Sequence, residues 1–367
     1  MAKLKFQIAK PDWLIIGLTL AFVIFGLLVI FDASTIIAQR DFGNKFYYLQ
    51  NQIIWTVLGL ASLIFFTFFD YHKLAKLSPI GLVIVVILLI SVLIPQIGGE
   101  VLGAKRRLTL AGIVIQPSEL VKLVYLVYLS FRFSKFSQRF FSFWQFIITT
   151  FVILALILAE PDLGTAIIIG SVAFLIYFLV GAPLKNFVVL SLIFLIAVFA
   201  AIFSADYRRD RFLNFINPGQ DLQGISYHQN QILLGLGTGG LVGRGFGASL
   251  QKFYYLPEAP TDSIFAVIGE EFGFVGGTAL VLGFLVLIWR GVKISNLAPD
   301  DLGRIMAAAI VFLIGLQVVI NLSGQVALLP LTGIPLPFIS YGGSSLVTLM
   351  AAIGILANVS RQRITTS

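Results

Sequence analysis

The 367-residue sequence contains no cysteine. That removes disulfides, thiolate nucleophiles and thiolate metal ligands. Histidine is nearly as scarce, with only His72 and His228. A histidine-rich zinc site is excluded, and a Ser-His-Asp triad would have to use one of these two. Charge is the third shortage. Only 11% of residues are Asp, Glu, Lys or Arg, against about 25% in an ordinary soluble domain.

Apolar surface takes the place of charge. The chain is 58% hydrophobic, with a mean hydropathy of +0.98. The excess is spread over the whole length, which describes a polytopic membrane protein rather than a soluble one with a single anchor. The formal net charge of +8 then reflects basic cytoplasmic loops, and no nucleic-acid partner is expected. Lys3, Lys5 and Lys10 precede an apolar run from Trp13 to Phe31, and no small-residue cleavage site follows. The run is long enough to span, so it reads as a retained transmembrane helix rather than a signal peptide.

Ten runs approach the roughly 20 residues needed to cross the hydrocarbon: 13–31, 52–69, 78–95, 117–132, 142–159, 164–181, 186–204, 262–289, 304–326 and 341–359. Only helices satisfy their own backbone groups in lipid at this length. The expected fold is therefore an all-α polytopic membrane protein, a bundle of about ten transmembrane helices forming one domain over residues 1–367. A large extracytoplasmic loop, at about 205–261, joins the seventh and eighth helices. Loops of that length tend to be functional. No internal repeat is visible.

An even number of spans puts both termini on one side. Loops on that side hold Lys73, Lys76, Arg132, Lys135, Arg139, Lys185, Arg290, Lys293, Arg304, Arg361 and Arg363 besides the N-terminal lysines. The short loops opposite hold only Arg40, Lys45, Lys105, Arg106 and Arg107. Positive-inside makes both termini cytoplasmic, although Arg208, Arg209, Arg211, Arg244 and Lys252 in the long loop run against it. The four tryptophans, Trp13, Trp55, Trp144 and Trp289, fall at span ends as an interfacial belt requires.

On this topology the polar residues gather at the outer side. Glu119 and Lys122 are three apart at the start of span four and share a helix face. Glu160-Pro161-Asp162 joins spans five and six, and Asp262 opens span eight. The result is an outward polar pocket. Each member has a plainer alternative. Lys122 pairs with Glu119 or Asp162, and Asp262 is a helix N-cap. Glu270 and Glu271, two turns deeper, read as structural. Lys105-Arg106-Arg107 suits a phosphate or diphosphate, or equally a lipid headgroup. Gly235–Gly240 matches GxGxxG, but a dinucleotide site needs a preceding strand in a βαβ unit. These glycines read instead as turn-formers in the outer loop. Pro330, Pro335 and Pro337, with Gly342 and Gly343, break the chain between spans nine and ten.

Several longer motifs run along the chain: Gly103-Ala104-Lys105-Arg106, Gln116-Pro117-Ser118-Glu119-Leu120, Pro161-Asp162-Leu163-Gly164-Thr165-Ala166, Leu256-Pro257-Glu258-Ala259, Thr261-Asp262 and Gly269-Glu270-Glu271. A final one runs from Gly333 to Ser345. In these motifs, which cover nearly the whole length in the right order, the chain resembles the shape, elongation, division and sporulation (SEDS) family of bacterial membrane proteins, which includes FtsW, RodA and SpoVE. Asp32-Ala33-Ser34 and Gln251-Lys252 look more like FtsW or SpoVE than RodA. The chain departs from the family pattern at Pro260 (usually His), Ser263 (Phe), Arg107 (Trp) and Glu160 (Gln).

The resemblance implies a peptidoglycan glycosyltransferase that polymerises lipid II at the outer face of the cytoplasmic membrane, in cell division, at the septum. It implies a class B penicillin-binding protein (a transpeptidase) and other division proteins as partners, beside the nascent glycan strand and membrane lipid. The family's essential aspartate falls on Asp262, its Pro-Asp on Asp162 and the arginine of its Gly-Ala-x-Arg motif on Arg106. Asp262 is the candidate general base for a sugar hydroxyl. The candidate substrate-binding set is Lys105, Arg106, Lys122, Asp162, Glu258 and Ser340. No cofactor is certain. A divalent cation, Mg2+ or Mn2+, is one candidate for stabilising the leaving diphosphate, beside Arg106 and other basic residues. Two other classes stay open: a lipid II flippase and a non-catalytic division scaffold.

Overall fold

An aspartate stands directly before several of the apolar runs, and each caps the helix that follows. Asp12 accepts from the N–H groups of Leu14 and Ile15, Asp70 from His72, Asp162 from Thr165 and Asp300 from Gly303. Such caps satisfy donors that a helix start leaves unpaired. The computed structural model describes residues 5–8, 10–94, 98–101, 104–110, 113–135, 143–217, 225–253 and 256–365. Within them the main helices are α1 (Trp13–Phe42), α2 (Tyr47–Phe68), α3 (Tyr71–Leu93), α4 (Pro117–Lys135), α5 (Phe143–Ala159), α6 (Leu163–Leu179) and α7 (Leu184–Phe203). Two shorter ones follow, α8 (Asp206–Ile216) and α9 (Ile225–Gly239), then α10 (Ile264–Asn296), α11 (Asp301–Gln325) and α12 (Gly343–Arg361).

All ten expected spans fall on helices of this set. The chain is an all-α polytopic membrane protein in which α1, α2, α3, α7, α10, α11 and α12 are long and apolar enough to cross a membrane. Helices α5 and α6 are apolar but shorter. Helix α4 carries Glu119 and Lys122 and is shielded by α3, α6, α11 and α12. The core lies where α10, α11 and α12 meet, with Met306, Ile310, Ile314, Ile353 and Leu356 fully buried. Helix α7 packs on α6 and α8 and turns Leu192, Ile196 and Phe199 outward, as a lipid-facing helix does.

The structure corrects four expectations. Helix α1 runs to Phe42 rather than Phe31, because hydropathy reports the apolar stretch and not the end of the backbone hydrogen bonding. Small strands were not expected. β1 (Lys5–Ile8) pairs with β5 (Gln362–Thr365), and β2 (Gly98–Val101), β3 (Ala104–Leu110) and β4 (Ile113–Ile115) form an antiparallel sheet before α4. These runs are too short for a period-two pattern to stand out, and pairing simply satisfies their backbone outside the helices.

The third correction is the long outer loop. Its helix α9 runs alongside the first half of α10, with Gly235 beside Ala266 and Gly239 beside Gly269. A Cβ on Gly239 would stand 1.9 Å from the Gly269 carbonyl oxygen. This glycine is therefore needed for close helix contact, not for a turn. Fourth, α10 is not one straight span. At Gly273 the backbone leaves the helix (φ 64°, ψ −165°). The 240–245 segment fills the break: Arg244 and Gly245 donate to the Glu270 and Glu271 carbonyls, while Phe274 and Val275 donate to Gly240 and Leu241. Broken helices persist in membranes only when the freed groups are re-bonded in this way.

Candidate functional site

The turn from Leu256 to Ser263 delivers Asp262 to the start of α10. Leu256 and Ala259 are buried and plant the turn. The Glu258 carbonyl accepts from the N–H groups of Thr261 and Ser263. Glu258 itself holds φ 51°, a region L-residues seldom adopt. Strain of this kind persists where surrounding bonds over-determine it. Here the Pro260 carbonyl is held at 2.8 Å by the N–H of Tyr341.

Helix α11 fixes the backbone of Asp262 itself. Asn321 Nδ2 and Gln325 Nε2 both donate to the Asp262 carbonyl, at 3.0 and 2.9 Å. Gln325 Oε1 accepts from the N–H of Ala266 at 2.9 Å and so caps α10 from a neighbouring helix. The residue in the N-cap position is Ser263, and its side chain makes no cap bond. The alternative in which Asp262 is a cap thus does not describe the structure. With capping done by Gln325, the Asp262 carboxylate is not spent on the helix start. Among the described residues its side-chain neighbour is the Thr261 hydroxyl at 3.5 Å, which lies 2.7 Å from Glu258 Oε2.

Burial pushes the Asp262 carboxyl up to about 6, and the Glu258 carboxylate adds to the rise. The Arg211 guanidinium, the residue's own N–H and Thr261 oppose it. Residual solvent contact of this half-buried side chain limits the effect. Asp262 faces a narrow cleft with Asn321, Leu331, Thr332 and Gly333. On the other side His228, from α9, holds Ser263 Oγ at 2.7 Å. Burial drives the His228 imidazole down to about 4, and Arg211 helps, so it is neutral near pH 7.

The other expected site residues sit on other elements. Asp162 accepts from Thr165 N (3.0 Å), Thr165 Oγ1 (2.9 Å), Gln116 Nε2 (3.3 Å) and Ser118 Oγ (3.5 Å), tying the start of α6 to the start of α4. Gly164, just beyond, packs on Ile334 and the Thr332 carbonyl, so the 332–334 segment lies between Asp162 and Asp262. Lys122 is buried and donates to Glu119 at 2.8 Å, an ion pair along one face of α4. Ser340 Oγ accepts from Leu336 N at 2.9 Å and shapes the loop whose next residue holds Pro260. Lys105 and Arg106 lie on β3, but their side chains fall outside the described residues.

Glu270 and Glu271 stand below the site. Glu270 accepts from the N–H groups of Leu250 and Gln251 and from the Ser249 hydroxyl, with Arg244 at 3.3 Å. Lys252 Nζ joins Asp32 (2.7 Å) to Glu271 (3.1 Å). Among the described residues no cluster of three or more His, Asp or Glu side chains forms a metal cage. Sequence reasoning missed Asn321, Gln325, His228 and Arg211. One signal was present: Gln317, Asn321 and Gln325 recur every four residues on an otherwise apolar helix, and all three are buried.

Comparison with known proteins agrees over the full length. The family described as "Cell cycle protein", of FtsW, RodA and SpoVE, matches residues 12–365. Stage V sporulation protein E of Bacillus subtilis (strain 168) is 38% identical over 96% of this chain and 97% of its own. The probable peptidoglycan glycosyltransferase FtsW of Geobacter metallireducens is also 38% identical, over 96% of each chain. Among solved structures, the rod shape determining protein RodA of Thermus thermophilus superposes with a TM-score of 0.70 at 27% identity, covering 96% of this chain and 97% of that one. A chain from a peptidoglycan synthase complex studied for its coordination of polymerization and crosslinking superposes at 0.77 with 26% identity, covering 96% and 98%.

Proposed function

This chain belongs to the FtsW/RodA/SpoVE family of cell cycle proteins, and from that premise we propose that it polymerises lipid II into glycan strands with Asp262 as the general base. It is a peptidoglycan glycosyltransferase, like the FtsW relatives it matches end to end. One observation carries the residue assignment: the backbone of Asp262 is fixed by Asn321 and Gln325 while its carboxylate is left uncommitted.

The chemistry needs such a group. A sugar hydroxyl attacks the anomeric carbon of a lipid-linked donor: the carbon–oxygen bond to the diphosphate breaks and a new glycosidic carbon–oxygen bond forms. The hydroxyl proton must go to a base as that bond forms. A carboxylate raised towards neutrality is a better base than an ordinary one, yet it is still mostly ionised at pH 7 to 8. The electron pair leaves with the diphosphate, whose charge needs cations. Lys105 and Arg106 on β3 are proposed for it. Glu258 and Asp262 also suit a divalent cation, because their mutual repulsion is what a cation would relieve. Bound there, Mg2+ or Mn2+ would act as a Lewis acid on the diphosphate oxygens.

The reaction is proposed for the outer face of the bacterial cytoplasmic membrane, with both termini cytoplasmic, at the division septum. A class B penicillin-binding protein is the proposed partner, supported by the likeness to a chain of a peptidoglycan synthase complex. The test is polymerisation of lipid II by the purified complex in detergent, where there are no leaflets to cross. Glycan chains should form. Their absence, with lipid II crossing liposomes at a rate set by this protein, would install the flippase reading instead.

A further inference from the structure

Helix α8 carries three arginines whose charges are used differently. Arg209 lies 3.1 Å from Asp206 and 3.6 Å from Asp210, so its charge is met within its own helix. Arg208 donates to the Ala201 carbonyl at 3.0 Å and to the Leu158 carbonyl at 3.3 Å, clamping α8 to the ends of α7 and α5. Arg211 points elsewhere. It rests on the Tyr207 ring, 4.4 Å from the centroid, and donates from Nη1 to the Leu331 carbonyl at 3.2 Å. Leu331 lines the same cleft as Asp262. Among the described residues no carboxylate stands at ion-pair distance from Arg211, although its field reaches both Asp262 and His228. The side chain is half-buried. One edge of its guanidinium fork is spent on a carbonyl and the rest is available.

The position of α8 suits a lipid headgroup. Phe212 meets Phe199 and Phe203 of α7 edge-on, which seats the apolar side of α8 on the end of a lipid-facing helix. Arg208, one turn before Phe212, shares that side, whereas Arg211 is turned roughly 100° round the helix and reaches towards Leu331. A helix of this kind lies at the boundary between hydrocarbon and water. A planar, permanently charged fork at that level matches phosphate oxygens better than a lysine would.

We propose that Arg211 binds the diphosphate of the lipid-linked sugar donor beside Asp262, so that α8 supplies a cation to the reaction. This rests on the glycosyltransferase reading above. It places the leaving group next to the base, and it makes α8 part of the site rather than a connector.

Binding is best measured without turnover. In the purified complex, Asp262→Asn and Asp262→Asn/Arg211→Gln would be titrated with lipid II in detergent, and with the same lipid carrying no phosphate. The double variant should bind lipid II about tenfold or more weakly, with no change for the uncharged lipid. Arg211→Lys, which keeps the charge and loses the fork, should weaken binding several-fold. If Arg211→Gln unfolds, the lysine variant decides. Lipid II binding within twofold of the parent, in either variant that folds, overturns the proposal. If Asp262→Asn itself polymerises at the parental rate, the base assignment fails, while the binding comparison still decides Arg211.

Discussion

Replacing Asp262 with asparagine separates catalysis from structure, because the two roles predict opposite changes in stability. Asn is nearly isosteric and keeps the backbone carbonyl that Asn321 and Gln325 hold. It loses only the negative charge. In the folded protein the carboxyl is raised from 3.8 to about 6. A raised acid binds its proton more tightly folded than unfolded. Ionising it therefore costs stability as pH rises from about 4 through about 6, and the cost is complete above that window. Two pH units correspond to at most ~3 kcal/mol. Partial solvent contact reduces this to about 1 kcal/mol. At pH 7.5, Asp262→Asn should then be as stable as the parent or slightly more so, while the polymerisation rate falls by about 10²–10⁴. Thermal unfolding in detergent and lipid II polymerisation on one preparation test both halves. If the variant polymerises at close to the parental rate, Asp262 is not the base. If the melting temperature falls by several degrees, the carboxylate was holding the fold and the uncommitted geometry is wrong.

Three further outcomes follow from the same geometry. Glu258→Gln removes the carboxylate that helps raise Asp262, so the acid limb of the pH–rate profile should move to lower pH with a milder loss of rate; an upward move would contradict the assigned sign. Lys122→Met leaves Glu119 buried and unpaired and should cost about 3–5 kcal/mol, whereas Lys122→Met with Glu119→Leu should recover most of it in thermal unfolding. If the double variant is stable yet its KM for lipid II rises, Lys122 also serves substrate. For sidedness, the cysteine-free chain allows single labels at exposed positions: Ala248→Cys should react with an impermeant thiol reagent from outside and Asn296→Cys should not. Reversed labelling would overturn the proposed orientation.

What could be read from the sequence is what one-dimensional order controls. Each membrane span is a continuous apolar run, because a helix satisfies its backbone locally and lipid demands about 20 such residues. All ten runs were therefore visible, whereas the aspartate caps at Asp12 and Asp162 were not read, although they act within three residues of themselves. Asp262 was legible as a carboxylate at a span boundary, in a motif shared with a known family. The role of that carboxylate was not legible, since a cap and a base look alike in sequence.

Tertiary structure decided the rest. The cap on α10 comes from Gln325, 59 residues after Ala266, and this is what frees Asp262. His228 and Arg211 reach the site from helices inside a segment that reads as a loop, because α8 and α9 are too short and too polar to register as spans. The break at Gly273 is tolerated only because residues 240–245 supply its missing hydrogen bonds. Local sequence sets which backbone groups a segment leaves unpaired. Only the packed fold determines which distant side chains arrive to satisfy them, and hence which carboxylate remains available for chemistry.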